Sequence, residues 1–292
     1  MIVVTAPTSS IGRQLIPHLL EHGEAVRVIA REPARLAPEV ADRVEVVRGS
    51  HGEAAVVEKA FAGADAVFWL PPSNPHAASL EAVYQEFCRP ACAVLAGQGV
   101  SHVVGVSALG RGFPGQAGNI SASLEMDDMF AATGVSYRAL TMPSFMDNLL
   151  RQAASIRDEG VFYGPTPADL KAPTCARRDI AAAGARLLID RSWSGVGSVP
   201  VLGPEDLSFD DMARILSEVL GKPVRYQEVP LEGFRASLLG GGVSEAMAQG
   251  MIDMTVAKNN GLDNAEPRTV EATTPTSFRQ WCEEELKPDV QA

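Results

Sequence analysis

The sequence lacks any long apolar run: no stretch approaches the roughly 18 to 20 consecutive apolar residues that a membrane-crossing helix needs. Basic residues are in deficit, with 25 Lys and Arg against 36 Asp and Glu, for a formal net charge of −11. A surface of that sign repels phosphate backbones and anionic lipid, so neither nucleic acid nor a membrane is an expected partner. Cysteine is scarce. Cys88, Cys92, Cys175 and Cys282 form no CxxC pair and cluster with no histidine, which argues against a disulfide framework and a metal site. The opening Met-Ile-Val-Val-Thr enters a strand with no basic stretch ahead of it. No secretory signal is therefore expected, and the expected compartment is the cytoplasm.

What is present reads as one large globular unit: 292 residues with 46% hydrophobic content can bury a sizeable core. Over residues 1–150, short apolar runs alternate with amphipathic stretches. Ile2-Val3-Val4-Thr5, residues 25–30, Val44-Glu45-Val46-Val47, Ala66-Val67-Phe68-Trp69-Leu70, residues 102–106 and residues 137–142 predict six strands. Between them Ile11, Leu15, Leu19 and Leu20 recur at helical spacing, and residues 78–95 predict one long helix. Strand and helix in regular alternation predict an α/β fold: a Rossmann-type, doubly wound parallel sheet. From about residue 150 the rhythm loosens. Residues 151–292 are expected to form a smaller C-terminal α/β lobe packed on the carboxyl edge of the sheet. There Asp179 is expected to cap a helix, Ser208 and Asp211 have capping-box spacing, and Gly240 to Gly242 mark a break.

The segment Val4-Thr5-Ala6-Pro7-Thr8-Ser9-Ser10-Ile11-Gly12 lies where the first strand turns into the first helix, the place where free amides and the helix dipole hold a diphosphate. Against GxxGxxG spacing, Ala6 and Ser9 replace two glycines and Gly12 remains. The hydroxyls of Thr8, Ser9 and Ser10 are expected to donate to phosphate, and serine at a position of positive φ would be strained. Thr5 and Ile11 complete the expected turn. Arg31, at the end of the second strand, suits a 2′-phosphate, so NADP(H) is expected ahead of NAD(H), although Glu32 follows it directly.

These segments carry a family resemblance. Ile2 to Gly12, Val26-Arg27-Val28-Ile29-Ala30-Arg31-Glu32-Pro33, Gly63-Ala64-Asp65-Ala66-Val67-Phe68 and Pro143-Ser144-Phe145-Met146-Asp147-Asn148 resemble the NmrA-like group of atypical short-chain dehydrogenase/reductases. So do Asp179-Ile180-Ala181 and the stretch from Gly203-Pro204-Glu205 to Leu220-Gly221-Lys222-Pro223-Val224. The resemblance implies NADP(H) as cofactor. It also implies either a reductase of quinone-like or related molecules or a regulator that senses NADP without turnover. The chain departs from the family in three places: in the two loop glycines, in Ser50, where relatives commonly have an aspartate, and in Ser123, where the reductases carry a lysine.

A conventional short-chain dehydrogenase uses a tyrosine with a lysine four residues on, on one helix face. Here the residues four beyond the four tyrosines are Cys88, Thr141, Pro167 and Pro230, so that mechanism is excluded. The expected catalytic set is Ser107, Arg111, Asn119 and His76, with His51 placed similarly to His76. Leu70, Pro71, Ser50, Ser107 and Phe145 are expected beside the cofactor. Trp69, Phe113, Met142, Phe145, Met146, Phe162 and Phe234 are expected to wall a pocket for a flat, hydrophobic or aromatic substrate. The leading expectation is an NADPH-dependent reductase of a hydrophobic carbonyl or quinone-like small molecule. The lost glycines keep two alternatives open: a cofactor-independent isomerase, dehydratase or cyclase, and a non-enzymatic NADP sensor.

Overall fold

The computed structural model describes residues 1–291, which form two compact units. The units do not divide the chain at one point. The first takes Met1–Ala108, Ser121–Thr141 and Ile180–Val199, and the second takes Leu109–Ile120, Met142–Asp179 and Pro200–Ala292. The fold is α/β with a Rossmann-type sheet.

In the first unit, β1 (Ile2–Val4), β2 (Val26–Ala30), β3 (Glu45–Arg48), β4 (Ala66–Trp69), β5 (His102–Ala108), β6 (Ser136–Met142) and β10 (Val196–Pro200) make one sheet in the order β10-β6-β5-β4-β1-β2-β3. The β1–β2, β1–β4, β2–β3 and β4–β5 pairings are parallel, with Ile2 opposite both Val26 and Ala66. All four residues of β4 are buried, as expected of a strand covered on both faces. The chain runs outward through β2 and β3, then returns to lay β4 against the other side of β1. That reversal opens a crevice at the carboxyl ends of β1 and β4, the usual ligand position of such sheets. The first helix, α1 (Ser10–Glu21), starts there and buries Ile11, Leu15, Ile16 and Leu19. Its end is marked by Gly23 at φ 77°, where a side chain would be strained. After it come α2 (Pro38–Ala41), α3 (Ala54–Phe61), α4 (Leu80–Val83), α5 (Gln85–Val94) and α6 (Asn119–Ala131), whose first two residues fall in the second unit.

Two local departures from the sequence reading have physical causes. The single helix expected over residues 78–95 is broken at Tyr84, whose ψ of −69° separates α4 from α5. Asp179 does not cap its helix. That helix, α8 (Arg177–Ile189), begins two residues earlier, and the Asp179 carboxylate instead accepts the hydroxyl of Thr276 at 2.8 Å and its amide at 3.2 Å. The helix start is held by Asp147, which accepts the Arg177 N–H at 3.1 Å and faces the Arg177 guanidinium at 3.7 Å. A buried carboxylate at a helix N-terminus satisfies an otherwise orphaned amide and meets the positive end of the dipole. The Phe-Met-Asp-Asn segment thus has a structural use.

The second unit carries β7 (Ser144–Phe145), β8 (Val161–Gly164), β9 (Ala172–Cys175), β11 (Asp206–Leu207) and β12 (Arg225–Glu228) in two small sheets, with α7 (Ala153–Glu159) and α9 (Phe209–Leu220). Ser208 and Asp211 form both halves of the capping box, and Gly221 closes α9. The core of this unit gathers Met146, Phe162, Leu216, Phe278 and Trp281. Among the described residues no helix is long and apolar enough to cross a membrane.

Candidate functional site

The turn after β1 keeps the features a diphosphate requires. Ser9 is the N-cap of α1: its hydroxyl donates to the Ala6 carbonyl at 2.8 Å and accepts the Gly12 N–H at 3.0 Å. That hydroxyl is therefore spent within the turn. Its φ of −68° is ordinary extended backbone, so serine carries no strain there. Positive φ falls instead on Ala6, at 50°, a conformation that costs an L-residue roughly 1 kcal/mol or more. The amides of Ser10 and Ile11, the first two of the helix, find no acceptor among the described residues. They lie at the positive end of the dipole. A Cβ on Gly12 would stand 2.4 Å from the Ala6 carbonyl oxygen and 2.9 Å from Pro7 Cα, so only glycine allows helix and turn to approach this closely. Pro7 has no N–H to offer, and Thr8 is half-buried beside it. The residues present fit a dinucleotide: two free amides, an intact dipole, and a close approach that a larger residue would destroy.

The rest of the crevice edge is pinned by hydrogen bonds. Thr5 is fully buried; its hydroxyl donates to Phe68 O at 3.0 Å and accepts Leu70 N–H at 2.9 Å, tying the ends of β1 and β4 together. The Leu70 carbonyl bonds His51 Nε2 at 3.0 Å. His51 is wedged edge-on between Trp69 and Phe87, and burial lowers its pKa to about 4, so the ring is neutral at pH 7. Pro71 is half-buried beside this edge. Ser50 caps the following turn, accepting the Gly52 N–H at 3.3 Å. Arg31 is exposed at the end of β2 and makes no ion pair among the described residues. Glu32 faces Arg35 at 3.9 Å instead.

Ser107, near the end of β5, is 7% exposed and belongs to a buried polar cluster that sequence reasoning missed. Its hydroxyl donates to Asp127 at 2.5 Å and stands 3.5 Å from the Ser123 hydroxyl. Tyr137 on β6 donates to the other oxygen of the same carboxylate at 2.6 Å. Burial, then the nearby Asp127 charge, push the Tyr137 phenol well above its ordinary value. Ser123 and Asp127 lie four apart on α6, a spacing that puts both on one helix face and was readable in the sequence.

The other expected residues fall in both units. His76 is exposed on the loop after β4, where its amide meets Asn74 Oδ1 at 3.3 Å. Arg111 (exposed), Asn119 (half-buried, with Oδ1 unpartnered) and Phe145 (half-buried in β7) belong to the second unit, whereas Ser107 and His76 belong to the first. Trp69, Met142, Met146 and Phe162 are core residues rather than pocket walls. Trp69 packs on Phe87 and Phe130. Phe234 does line a cavity of about 540 Å³ within the second unit, with Tyr163, Val229 and Pro230.

Comparison with known proteins adds to this geometry. The profile of an NAD(P)H-binding family matches residues 8–191, and that of the NmrA-like family matches residues 122–282. A (4-alkanoyl-5-oxo-2,5-dihydrofuran-3-yl)methyl phosphate reductase from Streptomyces griseus is 31% identical over 292 residues, covering 97% of each chain. An NAD(P)H azoreductase from Xenophilus azovorans is 29% identical over 87% of this chain and 86% of its own. The solved structure of an NADPH-dependent quinone oxidoreductase from Escherichia coli superposes with a TM-score of 0.77 at 23% identity, covering 96% of this chain and 98% of that one. At that identity the match speaks for the fold.

Proposed function

The chain belongs to the NmrA-like family, and from that membership we propose that it is an NADPH-dependent reductase of small, electron-poor conjugated molecules such as quinones or related hydrophobic carbonyls. The observation that carries this is the turn from Thr5 to Gly12: Ser10 and Ile11 present free amides at the head of α1, and the clearance at Gly12 leaves room only for backbone. Those amides would hold the pyrophosphate. The unpaired Arg31 would take a 2′-phosphate, which favours NADPH over NADH.

When bound, NADPH supplies the two electrons as a hydride equivalent. The protein's own contribution is placement and proton control. The Thr5 bridge and the His51–Leu70 bond fix the edge formed by Leu70 and Pro71, and Ser107 offers a hydroxyl at the carboxyl end of the neighbouring strand. The protein from Streptomyces griseus is by name a reductase of a 4-alkanoyl-5-oxo-2,5-dihydrofuran, which supports the substrate class, and the protein from Xenophilus azovorans is by name an NAD(P)H azoreductase, which supports the cofactor.

The test is direct. NADPH should raise the melting temperature more than NADH does at equal concentration, and 1,4-naphthoquinone should then be reduced with loss of NADPH absorbance. No melting shift at millimolar NADPH would refute the proposal and leave the cofactor-independent alternative.

A further inference from the structure

Behind Ser107 lies a buried acid that placement of the cofactor does not use. Asp127 is 3% exposed, and both of its oxygens are engaged by hydroxyls from neighbouring strands: Ser107 on β5 at 2.5 Å and Tyr137 on β6 at 2.6 Å. Room for this arrangement is made by Gly105, where a Cβ would stand 2.2 Å from the Tyr137 hydroxyl oxygen. Also near it are Ser123, one turn earlier on α6, and the thiols of Cys88 and Cys92 on α5, which act on the same Tyr137 phenol; the Asp127 charge raises Cys88 and Arg89 lowers it. A buried carboxylate is costly to ionise, and its two hydroxyl donors offset that cost.

Three other groups of the first unit that could give a proton are committed or held back. His51 is bonded to the Leu70 carbonyl and neutral, and the Tyr137 hydroxyl is spent on Asp127. Burial raises Tyr84. Reduction of a carbonyl still needs one proton on oxygen.

We propose that Asp127 is the reservoir of that proton and works through Ser107, as a positioning residue that does not itself touch substrate. The proposal rests on the reductase function put forward above, with NADPH as the reductant. The Ser107–Asp127 hydrogen bond has two polarities. When Asp127 is ionised, the serine hydrogen lies on Oδ2. When Asp127 is protonated, its O–H donates to Ser107 Oγ and the serine hydrogen is released toward the substrate. As the substrate oxygen gains electron density, the Ser107 O–H bond breaks and the new O–H bond on the product forms. The Asp127 O–H bond breaks as the serine O–H is restored, and a proton from water recharges the carboxylate. One proton from the medium is consumed per two-electron reduction.

The test combines turnover of 1,4-naphthoquinone by NADPH as a function of pH with two measurements independent of turnover: NMR titration of the Asp127 carboxyl carbon, and the NADPH-induced melting shift. In the parent protein, turnover should fall with rising pH through one ionisation whose midpoint matches the carboxyl titration. Tyr137→Phe removes a hydrogen bond that favours the ionised form and should move both midpoints upward by about one to two pH units. Asp127→Asn should abolish the pH limb and the titration while NADPH binding stays within about threefold. A carboxyl signal that stays ionised between about pH 5 and 9 overturns the proposal, as does a Tyr137→Phe variant with both midpoints unmoved. If Asp127→Asn does not fold, Tyr137→Phe and Ser107→Ala carry the comparison. A parent protein that shows no NADPH melting shift sinks the reductase function itself, and the relay with it.

Discussion

Replacing Gly12 by alanine sets two effects of opposite sign against each other. Within a helix alanine is favoured over glycine by up to about 1 kcal/mol. At this position, however, the new methyl would meet the Ala6 carbonyl oxygen at 2.4 Å, Pro7 Cα at 2.9 Å and Pro7 C at 3.1 Å. All three are backbone atoms that no rotamer change can clear. Overpacking of this kind costs about 1 to 3 kcal/mol, so the clash outweighs the propensity gain and net destabilisation of about 1 to 2 kcal/mol is expected. For a chain of this size that lowers the melting temperature by a few degrees. The larger effect should be on NADPH. Displacing the turn misaligns the Ser10 and Ile11 amides, and losing one charge-assisted hydrogen bond weakens binding about 10- to 100-fold. Ala6→Gly is the internal control. It relieves the backbone at φ 50°, worth about 1 kcal/mol, but adds freedom to the unfolded chain of similar size, so stability should barely change. Thermal unfolding with and without NADPH reads both variants. A Gly12→Ala protein as stable as the parent, with an undiminished NADPH shift, would refute the close-approach account of this turn.

Three further outcomes follow from the structure. Because His51 has its pKa depressed to about 4 from 6.5, the unfolded chain binds its proton first; stability is full above about pH 6.5 and falls by about 3 kcal/mol as pH drops toward 4, and chemical denaturation of His51→Gln should show a shallower fall over that window. Gly105→Ala should force Tyr137 off Asp127 and cost about 1 to 3 kcal/mol, and Tyr137→Phe in the same chain should recover part of that loss in a double-mutant cycle. Asp147→Ala removes the acceptor of the Arg177 amide and its ion partner, so urea unfolding should show a loss of about 1 to 2 kcal/mol, whereas Asp179→Ala should disturb Thr276 rather than the start of α8.

The strands of the sheet were legible because burial on both faces writes an uninterrupted apolar run, as in Ala66–Trp69, and because Gly23 punctuates the first helix. The capping box at Ser208 was legible for a similar reason: cap chemistry is local, and its partners sit three residues apart. What stayed hidden depends on partners far along the chain. Thr5 looks like a loop hydroxyl until its partners on residues 68 and 70 are seen, and Ser9 looks like a phosphate donor until its hydroxyl is found closing the turn. β10, from far beyond residue 150, completes the edge of the sheet, a pairing that no local signal announces. Trp69 and Phe162 read as pocket residues because an aromatic has the same composition signature in a core as in a cleft. Gly105 carried no turn signal at all; its meaning is the space it leaves for the Tyr137 hydroxyl.

The buried cluster also bears on which substrates the chain could reduce. In the conventional dehydrogenase arrangement a lysine lowers the pKa of a tyrosine and stabilises negative charge as it forms on oxygen. Here α6 directs Ser123 and Asp127 at Ser107, and the nearest tyrosine, Tyr137, has its pKa raised. An aspartate in that place inverts the electrostatics. An ionised carboxylate behind Ser107 would oppose a growing oxyanion, and the opposition is stronger in a water-poor site. The arrangement therefore favours acceptors that spread the incoming charge over a conjugated system, or that receive a proton as the electrons arrive. Quinones and conjugated carbonyls spread that charge, whereas simple aliphatic ketones concentrate it on one oxygen, so above the pH at which Asp127 ionises the ratio of naphthoquinone to cyclohexanone turnover should be large in the parent. At that pH it should narrow in Asp127→Asn, where the amide keeps the shape without the carboxylate's charge. An unchanged ratio in that variant would show that Asp127 has no part in choosing the substrate.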